Sequence, residues 1–337
     1  MTDRGRLRGT VRRPSVAYSM IGLFALAFTG CTQTYDAGWV LPVDRRNPMI
    51  LMNDGHAENW QGEYAMLLAN GGGTTLIGII VGTGGIYSKI EENFTAWENM
   101  VKAAKASGLR DIPFPIRSDS ELLKRPTSGK IDETIPNHSM GALTILDLAR
   151  QFALPQQPLV IVTGGRLTDV ADAYLIDNSI TDRVVVVSAL GSLSANGAVM
   201  GEPNGEMDTW ADRIVTDCFR YVQVSAYYDQ TADIPPTRFR DLPKDNEFTN
   251  WIEAKQPGIW ELQVSADQVA VLAVGVPGFV TDVARISPAE SGDAGSTGGR
   301  ALIKDPKGSG WLVEGINPTA ARKAIWGLLQ APSTFKP

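Results

Sequence analysis

Apolar residues run almost unbroken through PMILMN (48–53), TTLIGIIVG (74–82), PLVIVTGG (158–165) and RVVVVSALG (183–191). A strand with one wet face alternates apolar and polar residues. Continuous β-branched runs predict strands covered on both faces, as in a parallel sheet. Between these runs the period changes. In SKIEENFTAWENMVKAAKASG (88–108), Ile90, Phe94, Trp97, Val101 and Ala104 recur at helical spacing, with Gly108 placed to end the helix. SMGALTILDLARQFAL (139–154) reads as a helix opened by Ser139, and NPTAARKAIWGLL (317–329) as a last helix packing back on the core. MILMNDGHAENWQGEYAMLLAN (49–70) starts as a strand, stops at Asp54 and restarts as an amphipathic helix. Strand and helix in alternation predict an α/β fold: an open, mainly parallel, doubly wound sheet with helices on both faces.

The pattern loosens toward the C-terminus. YYDQTADIPPTRFRDLPKDNEF (227–248) is rich in proline and charge, and SPAESGDAGSTGGR (287–300) in small residues. Both read as long loops of the kind that carry binding segments or lids. No internal repeat and no linker divides the chain. The expected organisation is a leader over 1–30, a tether over 31–46 and one domain over 47–337.

The leader is read from its order of parts. Basic residues precede a short apolar run, MIGLFALAF (20–28), which ends at TGC. Crossing a bilayer takes about 20 apolar residues, so the run fits an export signal better than a span. FTGC (28–31) resembles the lipobox of bacterial lipoproteins, which implies cleavage before Cys31 and a lipid on that cysteine. The expectation is an exported protein held to a bacterial membrane through Cys31. The other cysteine, Cys218, then has no disulfide partner and reads as a small buried hydrophobe.

Charge narrows the partners. The net charge is −6, and the first thirty residues hold five arginines against one aspartate, so without them it is −10. An acidic protein is a poor match for a phosphate backbone, which sets nucleic acid aside. Two histidines, His56 and His138, without a cysteine cluster give no zinc signature. The glycine stretches at Gly71 and Gly82 lack the Lys-Ser/Thr of a P-loop and read as turns. Trp210 and Trp260 read as core residues, with base-stacking platforms as the alternative.

In open parallel sheets ligands gather at the carboxyl ends of the strands, so the residues just after each apolar run carry the chemistry. After the first run come Asp54, His56, Glu58 and Asn59. After the third comes TGGRLTDVADAYL (163–175), and after the fourth a stretch leading to NGEMDTWAD (204–212). SADQVAVLAV (265–274) opens a helix with Asp267 near its first turn. Each acid alone could simply cap a helix.

Together these blocks resemble the inosine–uridine nucleoside hydrolase family. Met52-Asn53-Asp54-Gly55-His56-Ala57-Glu58-Asn59 looks like its D-x-D-x-x-x-D-D motif. TGGRLTD is similar to its GGLTN block, split by Arg166. NGEMDTWAD is similar to its AEFNIWAD stretch, and ADQVA stands where it has HDPLA. The resemblance implies a bound calcium ion, N-glycosidic hydrolysis of a nucleoside or related ribosyl compound, and the possibility of a homo-oligomer. Carried over residue by residue, it implies Asp54 as central ligand and general base, with Asn59, the Thr163 backbone carbonyl and Asp267 as further ligands. Glu58, Glu206 and Asp208 would bind sugar hydroxyls. The chemistry is consistent, since calcium takes six to eight oxygens. The departures are Met52, Glu58, Asn59 and Asp208, with Ala266 in place of a histidine that assists the leaving base. They support an alternative: a membrane-tethered sugar- or nucleoside-binding protein that no longer cleaves.

Overall fold

The computed structural model describes residues 40–55, 60–85, 87–189, 203–224, 247–255, 267–294 and 299–330. The elements in chain order are β1 (Pro48–Asn53), α1 (Trp60–Asn70), β2 (Thr75–Val81), α2 (Ile90–Ala106), β3 (Pro115–Arg117), α3 (Met140–Phe152), β4 (Leu159–Gly164) and α4 (Thr168–Ile176). There follow β5 (Val184–Ser188), α5 (Pro203–Glu206), α6 (Thr209–Cys218), β6 (Arg220–Val224), α7 (Glu247–Lys255), α8 (Gln268–Gly275), β7 (Val280–Ala294), β8 (Gly299–Lys304), β9 (Gly310–Ile316) and α9 (Pro318–Gln330).

The strands form one sheet in the order β3-β2-β1-β4-β5-β6-β9-β7-β8. From β3 to β9 every pair is parallel. The four continuous apolar runs of the sequence are β1, β2, β4 and β5, with β1, β4 and β5 buried along their whole length. Alternate residues feed two cores. Leu51, Val162 and Val187 join one with helices α1, α2, α8 and α9, and Met52, Ile161 and Val186 join the other with α3, α4 and α6. The parallel, doubly wound sheet expected from the sequence is therefore present.

Local signals match the observed element ends. Ser139 caps α3, its side chain accepting from Ala142 N at 3.2 Å. Gly108 follows α2 at φ 90, donating to Lys105 O while Leu109 donates back to Ala104 O. Glycine suits that left-handed position because it has no Cβ to clash. The last helix buries Ala321, Ile325, Trp326 and Leu329.

Three expectations need correction. Helix α1 is not amphipathic: residues 61–68 are all buried, because the sheet, α2, α8 and α9 enclose it. Residues 287–300 are not simply a loop, since β7 and β8 form an antiparallel pair that β7 extends to β9. The tether expected over 31–46 ends sooner. Leu41 and Val43 sit in the core, and Asp44 accepts Arg46 Nε at 3.0 Å, while Asn47 Nδ2 donates to Pro158 O at 2.8 Å. The leader, Cys31 and most of 227–248 lie outside the described residues. No helix among the described residues is long and apolar enough to cross a membrane.

Candidate active site

The sheet winds outward in two directions from β1 and β4: β1 leads to β2 and β3, and β4 leads to β5 and β6. A crevice opens where the two directions part, because the helices leaving the two strands pass to opposite faces. Asp54 follows β1 and Gly164–Gly165 close β4, so both lie at that crevice.

Asp54 is 4% exposed, and among the described residues its Oδ2 has no hydrogen-bond partner. Burial pushes its carboxyl up to about 6, against the opposing pull of a backbone hydrogen bond and the Arg166 guanidinium. Neighbouring glycines let the backbone come this close. A Cβ on Gly84 would stand 1.7 Å from Asp54 Oδ2, and one on Gly165 3.0 Å from Asp54 Cγ. The chain just past Asp54 is clamped from behind, where Trp97 Nε1 donates to Gly55 O at 2.7 Å.

A chain of amides ties the crevice together. Asn53 Nδ2 donates to Gln61 Oε1 at 2.8 Å and to Gly164 O at 3.2 Å, and Asn53 Oδ1 accepts Gly55 N at 2.7 Å. Gln61 Nε2 donates to Asp267 O at 2.7 Å, and Asn204 Nδ2 to Asp267 Oδ1 at 3.1 Å. A Cβ on Gly164 would lie 2.7 Å from Asp267 Cβ. Asp54 and Asp267 therefore pack against the same Gly164–Gly165 turn, although 213 positions separate them in the sequence.

Thr163 belongs to the same strand end. Its hydroxyl donates to Ser188 Oγ at 2.7 Å, and its carbonyl accepts Ala189 N at 3.1 Å. A carbonyl oxygen has a second lone pair, so this bond leaves room for another partner. Asp208 is engaged by three donors: Leu123 N at 3.0 Å, Thr168 Oγ1 at 2.7 Å and Ala211 N at 3.0 Å. It caps α6 and fastens the segment after β3. Glu206 ends α5, its side chain outside the described residues, as are Glu58, Asn59, His56, Ala266 and Trp260. Trp210 is buried as expected, its Nε1 donating to Thr134 Oγ1 at 3.0 Å.

The hollow beside Asp54 is lined by Met52, Ile80, Thr83, Gly165, Arg166 and Asp169 among others, and leaves about 10 Å³, room for one water. Asp169 is a second buried carboxylate here, raised by burial and eased by the Ser139, Ser118 and Ser120 hydroxyls and by Arg166. Ser118 Oγ donates to it at 2.9 Å. Sequence reasoning passed over Asp169, Asn53, Gln61 and Asn204. Asp169 sits in the first turn of a helix, where an acid is ordinary, and an amide carries no sign of a partner 206 residues away.

Among the described residues no three His, Cys, Asp or Glu side chains gather closely enough to hold a metal. The described donors nevertheless suit a hard cation. Asp54 offers a buried oxygen with no partner, Asp267 meets the same turn, and Thr163 supplies a carbonyl. Asn59, the remaining expected ligand, lies outside the described residues.

No family model matches the sequence, and a search of curated proteins finds no match. Solved structures do match. An inosine-uridine preferring nucleoside hydrolase from Bacillus anthracis superposes with a TM-score of 0.61 at 14% identity, covering 84% of this chain and 99% of its own. A purine-preferring ribonucleoside hydrolase from Gardnerella vaginalis gives 0.55 at 18% identity, with the same coverage. The type III effector XopQ, solved with adenosine diphosphate ribose, gives 0.57 at 13%, covering 88% of this chain and 95% of its own. The chain has a divergent nucleoside-hydrolase-like fold.

Proposed function

We propose that this protein hydrolyses the N-glycosidic bond of a nucleoside or related ribosyl compound, with Asp54 as general base. The observation that carries this reading is Asp54 itself: a buried carboxylate with one unpartnered oxygen, at the crevice of the sheet. Asp54 takes a proton from the attacking water as its oxygen bonds to the anomeric carbon. The bond from that carbon to the leaving nitrogen breaks through an oxocarbenium-like state, and the departing base gains a proton from solvent. The hollow beside Asp54 has room for one such water. Asn53 and Gln61 hold Asp267 against Gly164, keeping the two carboxylates on one turn.

Asp54, Asp267, the Thr163 carbonyl and Asn59 would hold a calcium ion, which when bound supplies positive charge to orient the sugar diol and favour the ionised water. Glu58, Glu206 and Asp208 would face the sugar. For Asp208 that role must be shared with the three donors that already engage it. Residues 1–30 act as an export signal in this reading, and a lipid on Cys31 holds the mature chain to a bacterial membrane. A homo-oligomer is compatible with the fold.

The second reading, a ribosyl-binding protein that does not cleave, is favoured by one observation: the hollow beside Asp54, lined in part by the Asn53 amide, is narrow, with about 10 Å³ of room. One assay separates the two. Ribonucleosides are incubated with the wild type and with Asp54→Ala, with calcium and with chelator, and free base is measured. The enzyme reading expects turnover that falls by about 10³-fold in the variant. Binding of calcium and nucleoside without release of base supports the binding protein instead. For the anchor, Cys31→Ala is expected to move the protein from the membrane fraction to the soluble one, scored by fractionation and immunoblot.

A further inference from the structure

We propose that the ribosyl ligand carries a phosphate on its sugar, and that Arg166 receives it. This rests on the ribosyl-hydrolase reading and names the substrate class, a nucleotide rather than a nucleoside. Arg166 is half-buried and lines the hollow that holds Asp54. Its guanidinium is fastened on one side only, where Nη2 donates to the Ser120 backbone carbonyl and, at 3.4 Å, to Ser120 Oγ. Its Nε and Nη1 make no hydrogen bond and no ion pair among the described residues. Asp54 and Asp169 lie near enough to feel its charge, yet neither is bonded to it; Asp169 accepts from Ser118 instead. A guanidinium held by its back edge with two donor groups free is shaped for a group with several anionic oxygens.

Its position fits the sugar end of the ligand. Arg166 stands two residues before Thr168, whose hydroxyl donates to Asp208, one of the positions expected to read sugar hydroxyls. All three oxygen–donor pairings of Asp208 are internal to the protein, so a free hydroxyl finds a crowded acceptor there. Among the described residues that line the hollow, Arg166 is a side chain with donors to spare. Asp267 and helix α8 lie on the opposite face of the sheet, with the other core. A phosphate on the sugar would thus sit on the α4 side of the crevice.

The test compares ribonucleosides with their 5′-monophosphates as substrates of the calcium-supplemented mature domain, wild type, Arg166→Gln and Arg166→Lys. Wild type is expected to prefer the phosphorylated form at least about tenfold in kcat/KM, as charge-assisted bonds to phosphate allow. Arg166→Gln should erase most of that ratio, and Arg166→Lys should restore part of it. Equal turnover of both forms, or an equal loss on both in Arg166→Gln, overturns the inference and leaves the hydrolase reading standing. Should no substrate be cleaved, the hydrolase reading falls, and calorimetry with ribose 5-phosphate decides the rest. Binding that weakens at least tenfold in Arg166→Gln supports the phosphate site, and no binding ends it. Inorganic phosphate alone is the control: if it binds as tightly as ribose 5-phosphate, a free-anion site replaces the ribosyl one.

Discussion

Asp54 and Asp172 are both buried carboxylates of the same fold, and they stand in opposite condition. Asp172, on α4, is 0% exposed and accepts three successive backbone N–H groups: Asn137 at 2.7 Å, His138 at 3.3 Å and Ser139 at 2.7 Å. To present them, His138 adopts a left-handed φ of 55, which costs a side-chain-bearing residue energy. The return is a fixed entry to α3. Asp54 is almost as buried, and its Oδ2 has no partner among the described residues. A carboxylate whose oxygens are all engaged by its own chain is building structure. One kept dry and unpartnered costs stability and persists where a ligand or a reaction uses it.

The sharpest way to break this contrast is to neutralise Asp54. Its carboxyl has a usual value of 3.8 and lies at about 6 in the folded protein. The folded state therefore binds the proton more tightly than the unfolded one. Stability from this group is fully present below pH 3.8 and is lost as pH rises through 6, a change of about 3 kcal/mol. Asp54→Asn should remove that slope and make the calcium-free protein more stable than wild type at pH 7, while hydrolysis is lost. Urea titrations from pH 4 to 8 measure it. A wild type with no such slope, or a destabilised variant at pH 7, would sink the assignment of Asp54 as unpartnered.

Asp172→Ala is the mirror experiment. Three N–H groups lose their acceptor, and stability should fall by about 2–3 kcal/mol, because Asn137 and His138 are exposed and water takes up some of the loss. Turnover per folded molecule should change little. The smallest effect belongs to Ser139→Ala, which removes a capping bond at the same helix start and the hydroxyl that eases buried Asp169, and should cost about 1–2 kcal/mol in chemical denaturation.

The contrast also explains what was legible in the sequence. Asp54 could be found because an acid directly after the PMILMN run occupies a strand end, and strand ends of parallel sheets are where ligands bind. The parallel sheet, the Ser139 cap and the Gly108 stop were read from local chemistry that tertiary packing left intact. Whether Asp54 or Asp172 was the unpartnered acid could not be read, since hydrogen-bond satisfaction depends on groups brought in by folding. The same holds for the clip from Asn53 through Gln61 to Asp267, which joins β1, α1 and α8. Asp208 looked like a sugar ligand by its place in a motif, and the fold shows it holding Leu123, Thr168 and Ala211. The β7–β8 hairpin was hidden by its small residues, which resemble a loop until a partner strand is in place.

The indole of Trp97 reaches across from α2 to the carbonyl one position past Asp54. That bond wires an intrinsic fluorophore to the turn after Asp54 without any label. Among eight tryptophans its share of the emission can be isolated by subtracting a Trp97→Phe spectrum. Titrating ions or sugars while watching that difference would register occupancy optically, even for a compound the protein holds and never converts.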